Sequence, residues 1–188
     1  GEMGGAYPEL VANRDAVTKT VRQEEERFAD VLADGLPRLE KVMEAAGVAL
    51  DTTAVILERL MTSRAGVVPD GDVDYLDHVP IGYQRYRKRS FVPLGSPAED
   101  EQYLRGFARV LEVVKLLHDE GVRLLPGTDD GTGFTLHREV ELYVKAGIPA
   151  AEALRLATLG AADYLGLARD TGSIERGKYA DFFLVAGD

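Results

Sequence analysis

The passage that most limits what this chain can build runs from residue 96 to residue 131. Leu104, Phe107, Val110, Leu111, Val114 and Leu117 recur at three- and four-residue steps, Gly121 interrupts them, and residues 122–125 form a short apolar run ahead of Pro126 and Gly127. That period is an amphipathic helix over about 97–120. Ser96 can cap it, Pro97 suits the first turn and Glu99 supplies the carboxylate of a capping box. Helix, glycine turn, buried strand is the order of an α/β unit, and it implies a parallel sheet.

The flanking segments extend this frame. Residues 49–57, rich in threonine and β-branched side chains after Gly47, are expected to form a buried strand. Residues 64–97 carry Gly and Pro too densely for long elements and are expected to be a loop region with one short helix. Within it, residues 83–89 (YQRYRKR) are the one cationic and aromatic cluster. They either meet a phosphate or acidic partner, or pack their tyrosines and leave their charges in water. Helices are expected over 135–146, ending at Gly147, and 149–165, starting with Pro149. Two short strands around a glycine turn are expected over 172–187. At the other end, Val17, Val21, Phe28, Val31, Leu32, Leu36 and Leu39 mark one amphipathic helix or two. Asp15 is its expected N-cap, with a kink or break expected at Gly35 and Pro37. The run of Glu24, Glu25 and Glu26 reads as a solvated face.

A chain of 188 residues with 45% hydrophobic content holds one ordinary core and an appendage. The net charge of −10 argues against nucleic acid, which needs clustered Lys and Arg. With no cysteine there is no disulfide, thiolate nucleophile or Cys-ligated zinc. No apolar run approaches the roughly 20 residues of a membrane span, and the start has no signal-peptide pattern. A cytoplasmic protein is expected.

The densest polar cluster behind a buried strand is Gly127, Thr128, Asp129, Asp130, Gly131, at the strand end where α/β folds place their sites. A carboxylate there can ligate a divalent metal and take a proton from bound water, with glycines letting the backbone approach a ligand. The same string also reads as a tight turn, using Asp and Gly for their backbone preferences. Of the three histidines, His118 lies on the helix beside Leu117, as a packed or surface residue. His78 sits in the loop next to Asp77 and is a candidate metal ligand.

The stretch from residue 124 onward, LLPGTDDGTGFTLHREVELYVKAGIPAAEALRLATLGAADYLGLARDTGSIERGKYADFFLVAGD, resembles the amidohydrolase superfamily. The resemblance reaches back to about residue 47 through AAGVALDTTAVILERL, similar to imidazolonepropionase-like or peptidase-like members, although Thr52 stands where the family often has proline. It implies the last strands and helices of a (β/α)₈ barrel over residues 47–188, with a short C-terminal β-element, and a chemistry of C–N bond hydrolysis on a divalent metal such as zinc. Asp129 matches the strand-eight aspartate that ligates the metal and acts as general base. Asp130 has no family role and is expected to be a loop residue. His137 matches a position near the substrate pocket of some members, and otherwise caps or packs at a helix start. The family's His-x-His pair, its carboxylated lysine and the histidines of strands five and six have no match in this chain.

The first 46 residues are of another kind. From Met3, MGGAYPELVANRDAVTKTVRQEEERFADVLADGLPRLEKVM resembles alanyl-tRNA synthetase, in the helical region behind the aminoacylation core. The chain thus reads as two pieces, 1–46 and 47–188, joined near residues 45–47. Three functions follow: an inactive chimera or fragment, which is the preferred one, a hydrolase completed by another chain, or a synthetase-derived interaction module. Open strand edges and apolar faces call for cover. An oligomer is therefore expected, a dimer above all, burying Val21, Phe28 and Leu32.

Overall fold

A computed structural model describes residues 13–186, and its compact units divide between Gly47 and Val48. In the first unit, α1 spans Arg14–Ala46, a single helix of 33 residues. It starts one residue before the expected cap: the Asn13 carbonyl accepts from the Val17 N–H at 2.9 Å. Asp15 instead lies in the first turn, where its charge faces the positive end of the helix dipole. The expected break is absent. Gly35 and Pro37 both lie inside the helix, where proline removes one intrahelical bond and the turns on either side carry the remainder. The side chains of Val21, Phe28 and Leu32, and the Tyr7-Pro8 segment, lie outside the described residues.

The second unit is built on the expected parallel pairing. β1, Leu50–Asp51, pairs with β2, Leu124–Leu125, with Leu50 opposite Leu124 and Asp51 opposite Leu125. Both strands are shorter than expected. After β1 the chain turns at Thr52 and Thr53 into α2, Ala54–Thr62, so residues 54–57 are helix and not strand. The apolar run is buried either way. What converts it to helix is a carboxylate from a distant element that holds its first N–H groups.

Two 3₁₀ turns, Asp70–Asp72 and Leu76–His78, and α3, Ile81–Arg87, occupy the glycine- and proline-rich region. The cationic cluster is therefore largely helical, and its Arg87 is buried rather than left in water. α4, Pro97–Asp119, begins as expected. The Ser96 hydroxyl accepts from the Glu99 N–H at 3.3 Å, and Glu99 reaches back to the Gly95 N–H at 2.6 Å. α5, Phe134–Ala146, ends at Gly147 with φ of 103°, a conformation that suits glycine. The last helical stretch is three pieces, not one: α6, Ala150–Arg155, a π-helical turn, Leu156–Gly160, and α7, Ala161–Tyr164.

Two apolar clusters hold these elements. Val114, Leu124, Tyr143, Ile148, Ala153 and Leu156 form one, with Leu50 and Val122 against it. Ala54, Val55, Phe107, Leu111 and Leu142 form the other. Helices α4, α5 and α6 and the π-helical turn thus cover the strand pair, while α2 packs on α4 and α5, at about 1.5–3 kcal/mol per large apolar side chain withdrawn from water. Beyond residue 172 the expected pair of strands is absent among the described residues, which form turns and extended chain. Ile174 is 86% exposed and Leu184 is 90% exposed. Two strands alone are marginal without a third strand or a packed face, and nothing among the described residues supplies either. Among those residues no helix is long and apolar enough to cross a membrane.

Candidate functional site

The two parallel strands end side by side in Asp51 and the loop 126–133. Asp51, exposed at the end of β1, lies directly against Gly127, where a Cβ would overlap its carboxylate. Any larger residue at 127 would push the Asp51 carboxylate aside. Beyond Gly127 the Thr128 hydroxyl accepts from the Asp130 N–H and donates to the Asp130 carbonyl, both at 3.3 Å. Between these two residues Asp129 takes φ of 47°, a left-handed conformation that Asp tolerates better than most residues. Its side chain is exposed.

Asp130 faces the other way. Its side chain is 4% exposed, and Oδ2 accepts from Arg87 Nη1 at 2.5 Å and from Arg59 Nη1 at 2.8 Å. Arg87 is in turn held by Asp72, with Nε to Oδ2 at 2.6 Å and Nη2 to Oδ1 at 2.5 Å, the two-pronged pairing that a planar guanidinium allows. The Tyr75 hydroxyl donates to Asp72 at 2.6 Å. Burial works against the Arg87 charge, but the hydrogen bonds to Asp72 and Asp130 outweigh it and hold its pKa above the ordinary value. Burial and the bond to Asp72 push the Tyr75 hydroxyl up as well. The Tyr75 ring stacks on Phe134, the first residue of α5, with centroids 4.2 Å apart and planes 9° apart.

The His-Arg-Glu triplet of α5 divides its residues three ways. His137 is exposed. Arg138 pairs with Glu58 through Nε at 2.9 Å and Nη2 at 2.7 Å. Glu139 is wholly buried and accepts from the Ala54 N–H at 3.0 Å, the Val55 N–H at 2.7 Å and the Thr52 hydroxyl. It caps α2 from another helix, satisfying N–H groups that have no partner within α2. Tyr143, one turn on, shares the Thr52 hydroxyl at 2.8 Å. Burial raises the Glu139 pKa against the pull of these bonds.

The expected site residues are therefore placed apart. Asp129 stands exposed at the strand end, while His78 is 78% exposed in its 3₁₀ turn beside Asp77, at 3.6 Å. His118 Nδ1 meets Asp119 at 3.0 Å. Among the described residues no three metal-ligating side chains of the His and carboxylate kinds come together. The residues missed by sequence reasoning are Asp51, Asp130, Arg59, Arg87 and Glu139. Asp130 was expected in a loop and is in one, but as its anchor. Arg87 and Asp130 lie in clusters the sequence marks, but the role of each of the five carries no local signal, because each acts through a partner distant in the chain.

Two segments near the end of the chain also meet. Gly172, with φ of 86°, lies against the π-helical turn. A Cβ there would fall 2.7 Å from Ala162 Cβ, 3.0 Å from Leu159 Cα and 3.2 Å from the Thr158 carbonyl. Gly172, which opens residues 172–181 (GSIERGKYAD), is thus seated on residues 156–160 (LATLG).

A model of the amidohydrolase family matches residues 12–188, beginning inside the helical segment that precedes the expected join. The chain is also similar to alanine–tRNA ligases. It is 52% identical over 44 residues to that of Oleidesulfovibrio alaskensis, covering 23% of this chain and 5% of the ligase. For Dichelobacter nodosus the match is 50% over 40 residues, covering 21% and 5%. For Paraburkholderia phymatum it is 34% over 110 residues, covering 55% and 11%. The chain spans only 5% to 11% of the length of these relatives. No solved structure matches it.

Proposed function

Because the chain belongs to the amidohydrolase family, we propose that it carries the C-terminal portion of a metal-dependent hydrolase of C–N bonds and has no turnover of its own. In this reading β1 and β2 are the seventh and eighth strands of a barrel fragment, and Asp129 is the aspartate of strand eight. The observation that carries it is the division of labour in the loop after β2. Asp130 is clamped by two arginines, and its neighbour Asp129 is left exposed at the C-terminal end of a parallel strand. A loop used only as a turn has no need to fix one carboxylate and present the next.

The family is generally metal-dependent, and a bound ion would polarise the scissile carbonyl and activate water. A hydrolytic zinc site uses three protein ligands and a water. The described residues do not form such a set, since His78 and His137 stand exposed and no third ligand gathers at Asp129. No catalytic step is assigned to this chain alone. Residues 1–46 are, in the same reading, an alanyl-tRNA-synthetase-like segment joined to the hydrolase portion. The chain is proposed to be cytoplasmic and to form a dimer that covers its open strand edges.

The exposure of Asp129 favours a second reading, in which another chain supplies the missing ligands. Metal content and hydrolysis separate the two. The purified chain is expected to hold no stoichiometric zinc and to leave a panel of acyl-amino acids and dipeptides unchanged, with or without added zinc. Metal-dependent turnover lost in Asp129→Asn, with the fold intact, supports the second reading and removes the first. A monomer in sedimentation velocity contradicts the dimer.

A further inference from the structure

The end of the chain leaves an apolar face that nothing among the described residues covers. Leu154, Leu165, Leu167, Ile174, Phe182 and Phe183 line one cavity of about 750 Å³ against the π-helical turn. Phe182 is 56% exposed and Phe183 79%. The last backbone hydrogen bond of the segment runs from the Tyr179 N–H to the Asp170 carbonyl, at 2.8 Å. Among the described residues the backbone groups of residues 180–185 bond to no other backbone group.

Area and charge decide what can cover such a face. An aromatic side chain carries about 150–250 Å², so Tyr179, Phe182 and Phe183 at their exposures offer roughly 400 Å². The aliphatic side chains around them bring roughly as much again. A face of about 800 Å² is one partner's share of a standard interface, and it exceeds the roughly 300–600 Å² of the largest apolar patch on a typical monomer. Residues 172–186 hold Glu175, Arg176, Lys178 and Asp181, a net charge of zero in a chain of −10. A second copy approaching here therefore escapes the repulsion that the whole chain's charge exerts elsewhere. The face also holds both halves of a two-fold contact, an apolar cavity and, beside it, an extended apolar segment with open N–H and C=O groups.

We propose that this face docks a second copy of the chain, with residues 180–185 pairing antiparallel to the same residues of the copy and their side chains covering both cavities. Centred on Phe183, the pairing sets the two Asp181 carboxylates about 13 Å apart along the strands, beyond a Debye length of about 8 Å. The proposal rests on the dimer of the proposed function and gives it an interface. It is independent of hydrolysis.

Sedimentation velocity of the full chain over a concentration series tests it, with Phe183→Asp, Leu184→Asp and Ile81→Asp run in parallel and each checked by circular dichroism. All three residues are exposed in the protomer, so each variant is expected to fold, and Ile81 lies on α3, outside the face. The unaltered chain and Ile81→Asp are expected to dimerise with the same affinity, and the two face variants at least tenfold more weakly. Unchanged affinity in both face variants places the interface elsewhere, which overturns this proposal and leaves the dimer standing. Equal weakening in Ile81→Asp shows that added negative charge, not this face, breaks the dimer, and overturns it as well. A monomeric unaltered chain overturns both readings and leaves the face to a different protein.

Discussion

Oδ2 of Asp130 lies 2.5 Å from Nη1 of Arg87, with both side chains almost withdrawn from water at 4% and 3% exposure. The bond ties the loop after β2 to α3, two segments 43 residues apart in the chain. Next to this anchor Asp129 takes a left-handed conformation, φ 47°, and is exposed.

Removing the anchor is expected to be expensive. Asp130→Ala leaves Arg87 and Arg59 facing a site with one carboxylate fewer, and breaking a buried pair from one side costs about 3–5 kcal/mol. Urea denaturation of the variant measures it. A loss under about 1 kcal/mol would mean that the pair is solvated and behaves as a surface ion pair.

Asp129 is expected to behave oppositely. Asp129→Asn keeps a residue type that tolerates positive φ and removes no contact, so stability is expected to stay within about 0.5 kcal/mol. Asp129→Ala, at φ of 47°, adds strain on the order of 1 kcal/mol. Parallel melts of the two variants give the comparison, and equal losses in both would point to a contact made by the carboxylate itself.

Glu139 predicts a pH dependence whose sign is fixed by burial. An acid with a raised pKa holds its proton more tightly in the folded chain than in the unfolded one. Its contribution is therefore fullest below the unfolded value of about 4.3 and declines as pH rises toward the folded value. Glu139→Gln does not titrate, and its amide nitrogen faces the Ala54 or Val55 N–H, so it is expected to be less stable by about 1–3 kcal/mol. That gap should narrow from about pH 4 to about pH 7 in denaturant titrations of both proteins. A gap that widens would show that the hydrogen bonds, not burial, set the Glu139 pKa.

Gly172→Ala combines a left-handed backbone with overlap against Ala162 and Leu159. A cost of about 1–3 kcal/mol is expected, confined to the seating of residues 172–186. Hydrogen exchange should show those amides losing protection while α4 and α5 keep theirs. Unchanged exchange throughout would mean that the segment does not rest on the π-helical turn.

The sequence determined what depends on near neighbours. The Ser96 and Glu99 cap, the stripe of α4 and the glycine stops at 121 and 147 are all written within a few residues of where they act. So is the position of Asp129 after a buried strand. The errors fall where a local pattern admits two answers. Residues 54–57 are as apolar in a strand as in a helix, and Glu139, reaching from 84 and 85 residues away to their N–H groups, selects the helix. Arg87 looked solvated because nothing near it in the chain neutralises it. Asp72 and Asp130 do so from 15 and 43 residues away. Burying a charge is tolerable only when its partner is already in place, and which partner arrives is decided by the packing of α2, α3 and α5. Tertiary structure alone therefore settled which of two adjacent aspartates is anchored and which is presented to solvent.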